Sequence, residues 1–189
     1  MVDAQTIGVL VTAASVTVAA VYYIMTLRVQ QRNVKTNIES RQIQLLTQLS
    51  QPAMSYEGQK RYLEYMNIEW KDYDDFENKY GSDNNPDNYA IRYSWNSYFQ
   101  TIGVLLKYGL IEPDILYDYT GSTLIWAWGK YRGIYERMRE AYGNPALYEN
   151  WEYAYNEMVR VAEVRRHPTG FPGSFRYTEE MRRKVKSEA

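Results

Sequence analysis

The run Ile7–Leu27, IGVLVTAASVTVAAVYYIMTL, constrains this chain more than any other stretch, because it holds twenty-one residues and no charge. A helix of that length is about 31 Å long at 1.5 Å per residue, close to the ~30 Å hydrocarbon core of a bilayer. Nine of its residues are Ile, Leu or Val. At roughly −0.3 to −0.6 kcal/mol each on the insertion scale they contribute about −4 kcal/mol toward membrane insertion. A core helix of this length would carry a polar face, and a secretory leader would carry a basic start. The run shows no such face, and the residues before it, MVDAQT, hold only Asp3. A membrane-spanning helix over residues 7–27 is the expectation.

Charge orients that helix. Arg28, Arg32, Lys35 and Arg41 follow the run with Glu39 as the only acid among them, and no Lys or Arg precedes it. The positive-inside rule then puts a six-residue amino end outside and everything after the run in the cytoplasm, with Tyr22 and Tyr23 near the inner headgroups. Gly8, Thr12, Ser15 and Ala19 recur on one face of the run, and residues this small let two membrane helices approach closely. Arg28, Arg32 and Lys35 are candidate contacts to anionic lipid.

The remaining residues are organised by helical periodicity. No Pro or Gly interrupts 28–51, where Val34, Ile38, Leu45 and Leu49 share a face, so the membrane helix is expected to continue as a stalk until Pro52 stops it. Residues 52–166 are expected to form a helical bundle domain. Its helices should cover about 56–71, 87–108, 122–142 and 145–165, with short turns of helix after Trp70 and from Pro113 to Tyr119. Their apolar stripes are regular: Leu63, Met66 and Trp70; then Ile91, Trp95, Phe99, Ile102 and Leu106. Leu124, Trp128, Tyr131, Tyr135, Met138 and Tyr142 follow, and finally Tyr148, Trp151, Tyr155, Met158 and Ala162. No segment alternates with period two, so the fold class is all-α. Many of the twenty tyrosines and five tryptophans lie on those stripes and are expected as core, whereas tyrosines off them, such as Tyr65, Tyr73 and Tyr153, are candidates for a partner surface.

The distribution of charge excludes one class of partner. Residues 43–160 carry eleven basic and seventeen acidic groups, a net of −6, between ends of +2 (residues 1–42) and +3 (residues 161–189). Nucleic-acid affinity depends on neutralising phosphates, so an acidic body argues against it. The segment 167–189 is rich in Pro and Gly at first and ends in a basic cluster, Arg182, Arg183, Lys184 and Lys186, a second candidate for contact with an anionic leaflet.

Catalytic equipment is sparse. There is no cysteine, and the single histidine, His167, sits beside Pro168 at a helix end. Most nucleophilic and metal mechanisms lose their parts, and no cofactor, metal or catalytic residue is expected. Two sharper readings remain. Glu64, Glu69, Asp72, Asp74, Asp75 and Glu77 would make a divalent-metal enzyme only if at least three of them converged in a concave site. Alternatively, the basic tail would make the chain a lipid-surface sensor. Asp83, Asn85 and Asp87 imitate the start of a calcium loop, but Asn88 stands where the turn needs Gly and Ser94 where the loop needs Glu. The tail's Gly170 and Gly173 follow no strand and lack the Lys-Ser/Thr ending of a phosphate loop.

The order of segments carries a resemblance. A basic stalk with Arg41 and Gln48 is followed by EYMNIEWKDYDDFENKYG, YFQTIGVLLKYGLI and YGNPALYENWEYAYNEM. Over most of residues 7–160 the chain resembles a group of prokaryotic, often archaeal, single-pass membrane proteins known as a domain of unknown function. The resemblance implies a helical cytoplasmic domain and carries over no activity and no site residues. The expected partners are the bilayer and either another protein or a second copy of the chain.

Overall fold

The computed structural model describes the backbone of residues 4–170 and the side chains of Gly8, Thr12 and residues 14–170. Every described element longer than a turn is a helix, as the periodicity requires. The helices are α1 (Ala4–Met54), α2 (Tyr56–Asn67), α3 (Tyr73–Tyr80), α4 (Pro86–Lys107), α5 (Pro113–Tyr142) and α6 (Glu149–Val164). The chain divides into two compact units, Met1–Gln44 and Leu45–Ala189.

The first unit is a single helical stretch. Its described apolar side chains are open on every side: Val16 is 64% exposed, Val18 69%, Val21 52% and Ile24 50%. At 100° per residue these four point in different directions, so no face of this stretch is covered by the unit itself. Among the described residues no helix is long and apolar enough to cross a membrane. The span expected over Ile7–Leu27 includes Ile7, Val9, Leu10, Val11 and Ala13, whose side chains lie outside the described residues.

The second unit is a helical bundle with one aromatic core. Helix α6 packs on both α4 and α5, while α2 and α3 lie on α4. Trp128, Trp151, Tyr65, Tyr131, Tyr135, Phe76 and Phe99 are its largest fully buried side chains. Trp151 of α6 stacks on Phe99 of α4 at 4.8 Å between ring centroids and meets Trp128 of α5 edge-on at 5.1 Å, so three helices converge on one indole. Helix α4 passes close to α6 at Gly103, where an added Cβ would fall 1.9 Å from the Asn150 carbonyl oxygen. Gly103→Ala should therefore push the two helices apart at a cost of about 1–3 kcal/mol or more. Chemical denaturation of the variant checks this, and an unchanged midpoint would contradict it.

Local chemistry explains where the helices begin and end. Pro52 lies inside α1, which runs on to Met54. The junction is secured by Ser55, whose hydroxyl donates to the Pro52 carbonyl at 2.7 Å and accepts the Gly58 amide at 3.0 Å, capping α2. Helix α2 stops at Asn67 rather than near residue 71. Side chains of α5 compete for its last carbonyls: Tyr131 donates to the Tyr65 oxygen and Lys130 Nζ to that of Ile68 at 2.8 Å. The expected break between Tyr119 and Ser122 does not occur. One interior glycine costs about 1 kcal/mol, less than burying Leu116 and Leu124 on either side of Gly121 returns. Helix α6 begins at Glu149 rather than Pro145, because Tyr148 takes a left-handed conformation (φ 57°) that no helix continues through. Its ring is thereby set against Tyr135 at 4.7 Å.

Three core assignments need correction. Tyr65, expected on a partner surface, is fully buried, and Leu63, expected on the apolar stripe of α2, is about half exposed. The buried stripe is Tyr62, Tyr65 and Met66, which keeps Met66 of the expected one and replaces Leu63 by Tyr62 and Tyr65. Tyr142, at the end of α5, is exposed as well.

Candidate functional site

The carboxylates after Glu64 do not assemble. Asp72 caps α3, its Oδ1 accepting the Asp75 amide at 2.9 Å. Asp75 accepts from the Lys71 amide and from Lys79 Nζ at 2.9 and 2.8 Å, and these hydrogen bonds hold its carboxyl below the usual range. Asp74 is exposed. Among the described residues no three His, Asp or Glu side chains are placed to hold a metal ion. The condition set for a metal enzyme on residues 64–77 is thus not met there.

Glu64 and Glu69 instead border an open cleft of about 570 Å³ with Asp87, Asn88, Tyr80 and Ile91. Asp87 gained this place from the fold, since it belongs to α4 and stands far from the other two in sequence. Lys130 is half-buried nearby, its ammonium 4.7 Å from the centre of the Trp70 ring. Burial pushes its pKa down, against the opposing pull of Glu69. Asn85, the third position of the imitation calcium loop, caps α4 by accepting the Asn88 amide at 3.0 Å.

Beneath the cleft lies a polar knot that the sequence did not announce. Asn96 of α4 is buried, and its Oδ1 accepts the hydroxyls of Tyr65 at 3.2 Å and Tyr135 at 2.7 Å. One amide thereby ties α2, α4 and α5 together. Arg92, one turn earlier and 2% exposed, donates to Asn88 Oδ1 at 3.0 Å and to the Tyr80 carbonyl, and lies 4.5 Å over the Phe76 ring. Such groups are tolerated inside only when hydrogen-bonded. The knot is structural: it fixes the register of the helices around the aromatic core.

Burial raises the pKa of Tyr65, Tyr131 and Tyr135 well above the ordinary value of 10.0. Between pH 10 and those raised values the unfolded chain has lost protons that the folded chain keeps, so stability falls as pH rises. Below pH 10 these groups contribute no slope. An alkaline titration should show cooperative unfolding above pH 10, with part of the phenolate absorbance appearing only at that transition. Phenolate appearing smoothly before any loss of helicity would contradict it.

The remaining expected residues fall as follows. Gly8, Thr12, Ser15 and Ala19 are exposed on α1, and the Thr12 hydroxyl donates back to the Gly8 carbonyl at 2.9 Å. Arg28, Arg32 and Lys35 are exposed, with Lys35 3.8 Å from Glu39. His167 is exposed, and its Nδ1 lies 2.9 Å from the Tyr117 hydroxyl. Tyr73 is half-buried and Tyr153 is 39% exposed. Arg182, Arg183, Lys184 and Lys186 lie outside the described residues. A second concavity, about 450 Å³, opens where the end of α1 meets α2 and α4, with Pro52, Ala53, Arg61, Trp95 and Tyr98 in its walls. The sequence signalled this groove only through the Pro52 junction.

No curated protein and no solved structure matches the chain. The profile of a domain of unknown function, DUF4760, matches residues 9–158, from within the uncharged run to the last turns of α6. The match covers most of the chain, and the protein belongs to the DUF4760 family.

Proposed function

We propose that the protein is a membrane-anchored interaction module: residues 7–27 lie in lipid, the amino end faces outward, and the helical domain works in the cytoplasm by binding another protein or a second copy of itself. The observation that carries this reading is the uncharged run, whose described side chains are exposed all round the helix. In water such a surface invites aggregation; in lipid it costs nothing. The family match supports the reading, because it includes most of the run within the domain itself rather than leaving it outside as a leader. The basic residues after the run support the orientation. A binding role rather than a catalytic one is favoured by the dispersal of the acidic side chains into caps, ion pairs and an open cleft.

A carboxyl-terminal tag on the full chain tests the arrangement. Protease added outside intact cells should leave the tag untouched, and should remove it once the membrane is opened. Digestion of the tag on intact cells would overturn the orientation, and recovery of the tag in the soluble fraction would overturn the anchor.

A further inference from the structure

We propose that α1 pairs in parallel with α1 of a second copy of the chain, along a seam formed by Ala20, Ile24, Leu27, Gln31, Val34 and Ile38. The inference deepens the binding role proposed above by naming the partner, and it rests on the membrane reading for the common direction of the two chains.

The seam follows from spacing. Its positions are four and three residues apart in alternation. At 100° per residue they fall within an arc of about 80° on one side of the helix. Such a repeat averages 3.5 residues, the period at which two helices wind round each other and seat each side chain of one in a gap of the other. Leu27 is 37% exposed, Val34 57% and Ile38 48%, so this face is open in the single chain. It holds no charge, and Gln31 is the one polar side chain among its last four places. A single polar place of this kind fixes the register of a pair. Arg41 occupies the next place and would face its own copy, so the seam ends before it.

The helix needs a partner there. From Arg28 to Arg41 no side chain is buried. Val29, Asn33, Val34, Thr36, Asn37 and Ile38 are all weaker helix formers than Ala or Leu. A lone helix of about 12–15 residues is marginal in water, and helices in proteins are held chiefly by packing of an apolar face. Pairing along Val34 and Ile38 supplies that packing.

Charge selects a parallel copy as the occupant. Arg28 and Lys35 flank the seam on one side, Tyr23 and Gln30 on the other. Two parallel helices set unlike flanks together, so Arg28 meets Tyr23 of the second copy and Lys35 meets its Gln30. A guanidinium is attracted to the face of a tyrosine ring. An antiparallel helix of the same sequence would set the cations of one chain against those of the other.

The absence of cysteine lets single introduced thiols test the seam. In membranes holding the full chain, Val34→Cys and Ile38→Cys are oxidised beside Thr36→Cys and Ser40→Cys, which lie at neighbouring heights on the opposite side of the helix. A disulfide needs Cα atoms within about 7 Å, so its rate reports which faces meet. The proposal expects chain-to-chain disulfides to form at least tenfold faster at 34 and 38 than at 36 and 40. Adding Val34→Glu to Ile38→Cys should slow the reaction at least tenfold. Equal rates on the two faces, or faster reaction at 36 and 40, would overturn the proposal. Protection of the thiols at 34 and 38 from alkylation without chain-to-chain disulfides would give the face to a different protein and overturn it too. Sedimentation of the same samples reports the anchor separately: chain in the supernatant counts against the membrane reading, whereas the ratio between the two faces decides the pairing.

Discussion

Trp151→Ala is expected to be the most damaging single truncation in the helical domain, lowering unfolding free energy by about 3–5 kcal/mol. The indole is fully buried and touches rings from both neighbouring helices: Phe99 at 4.8 Å, Trp128 at 5.1 Å and Tyr135 at 5.5 Å. Its removal opens a cavity at the point where α4, α5 and α6 converge, and their backbones cannot close over it without breaking the near approach at Gly103. Set against the 5–15 kcal/mol that holds a typical domain together, the loss leaves little margin. Trp151→Phe keeps part of the stacking and should cost markedly less. Urea denaturation followed by circular dichroism measures both. A loss under about 1 kcal/mol for the alanine variant would mean that the core is not organised around this residue.

The second large effect concerns the amino-terminal helix. Thr17→Arg together with Ala20→Arg places two cations near the middle of the uncharged run. Each costs about 2.5–3.5 kcal/mol at the centre of a membrane helix, whereas the nine aliphatic residues contribute about −4 kcal/mol in all. The sum changes sign, so the double variant should leave the membrane fraction while its helical domain still melts like the parent's. Retention of the double variant in membranes would show that something other than this helix holds the chain there.

How much of this was legible in the sequence differs from element to element. The all-α class, the apolar faces of α4 and α5 and the caps at Asn85 and Gly143 followed from periodicity and from residues whose chemistry is local. Tyr65 was misplaced because its hydroxyl is matched by Asn96, a residue on another helix that gives no hint of being buried. The early end of α2 has the same origin, since the side chains that draw off its carbonyls come from α5. The acidic cleft could not be foreseen, because Asp87 joins Glu64 and Glu69 only through tertiary packing. Conversely, the sequence cluster at Asp72–Glu77 overstated a site that local capping had already consumed.

The central claim is that lipid surrounds residues 7–27, and extraction of native membranes with alkaline carbonate tests it most directly. That treatment strips peripheral proteins and lies in the range where the buried tyrosines are expected to let the helical domain unfold, so only a helix held in hydrocarbon keeps the chain in the pellet. The account predicts that the full chain stays with the membranes and that a chain lacking residues 7–27 does not. Release of the full chain into the supernatant would contradict it.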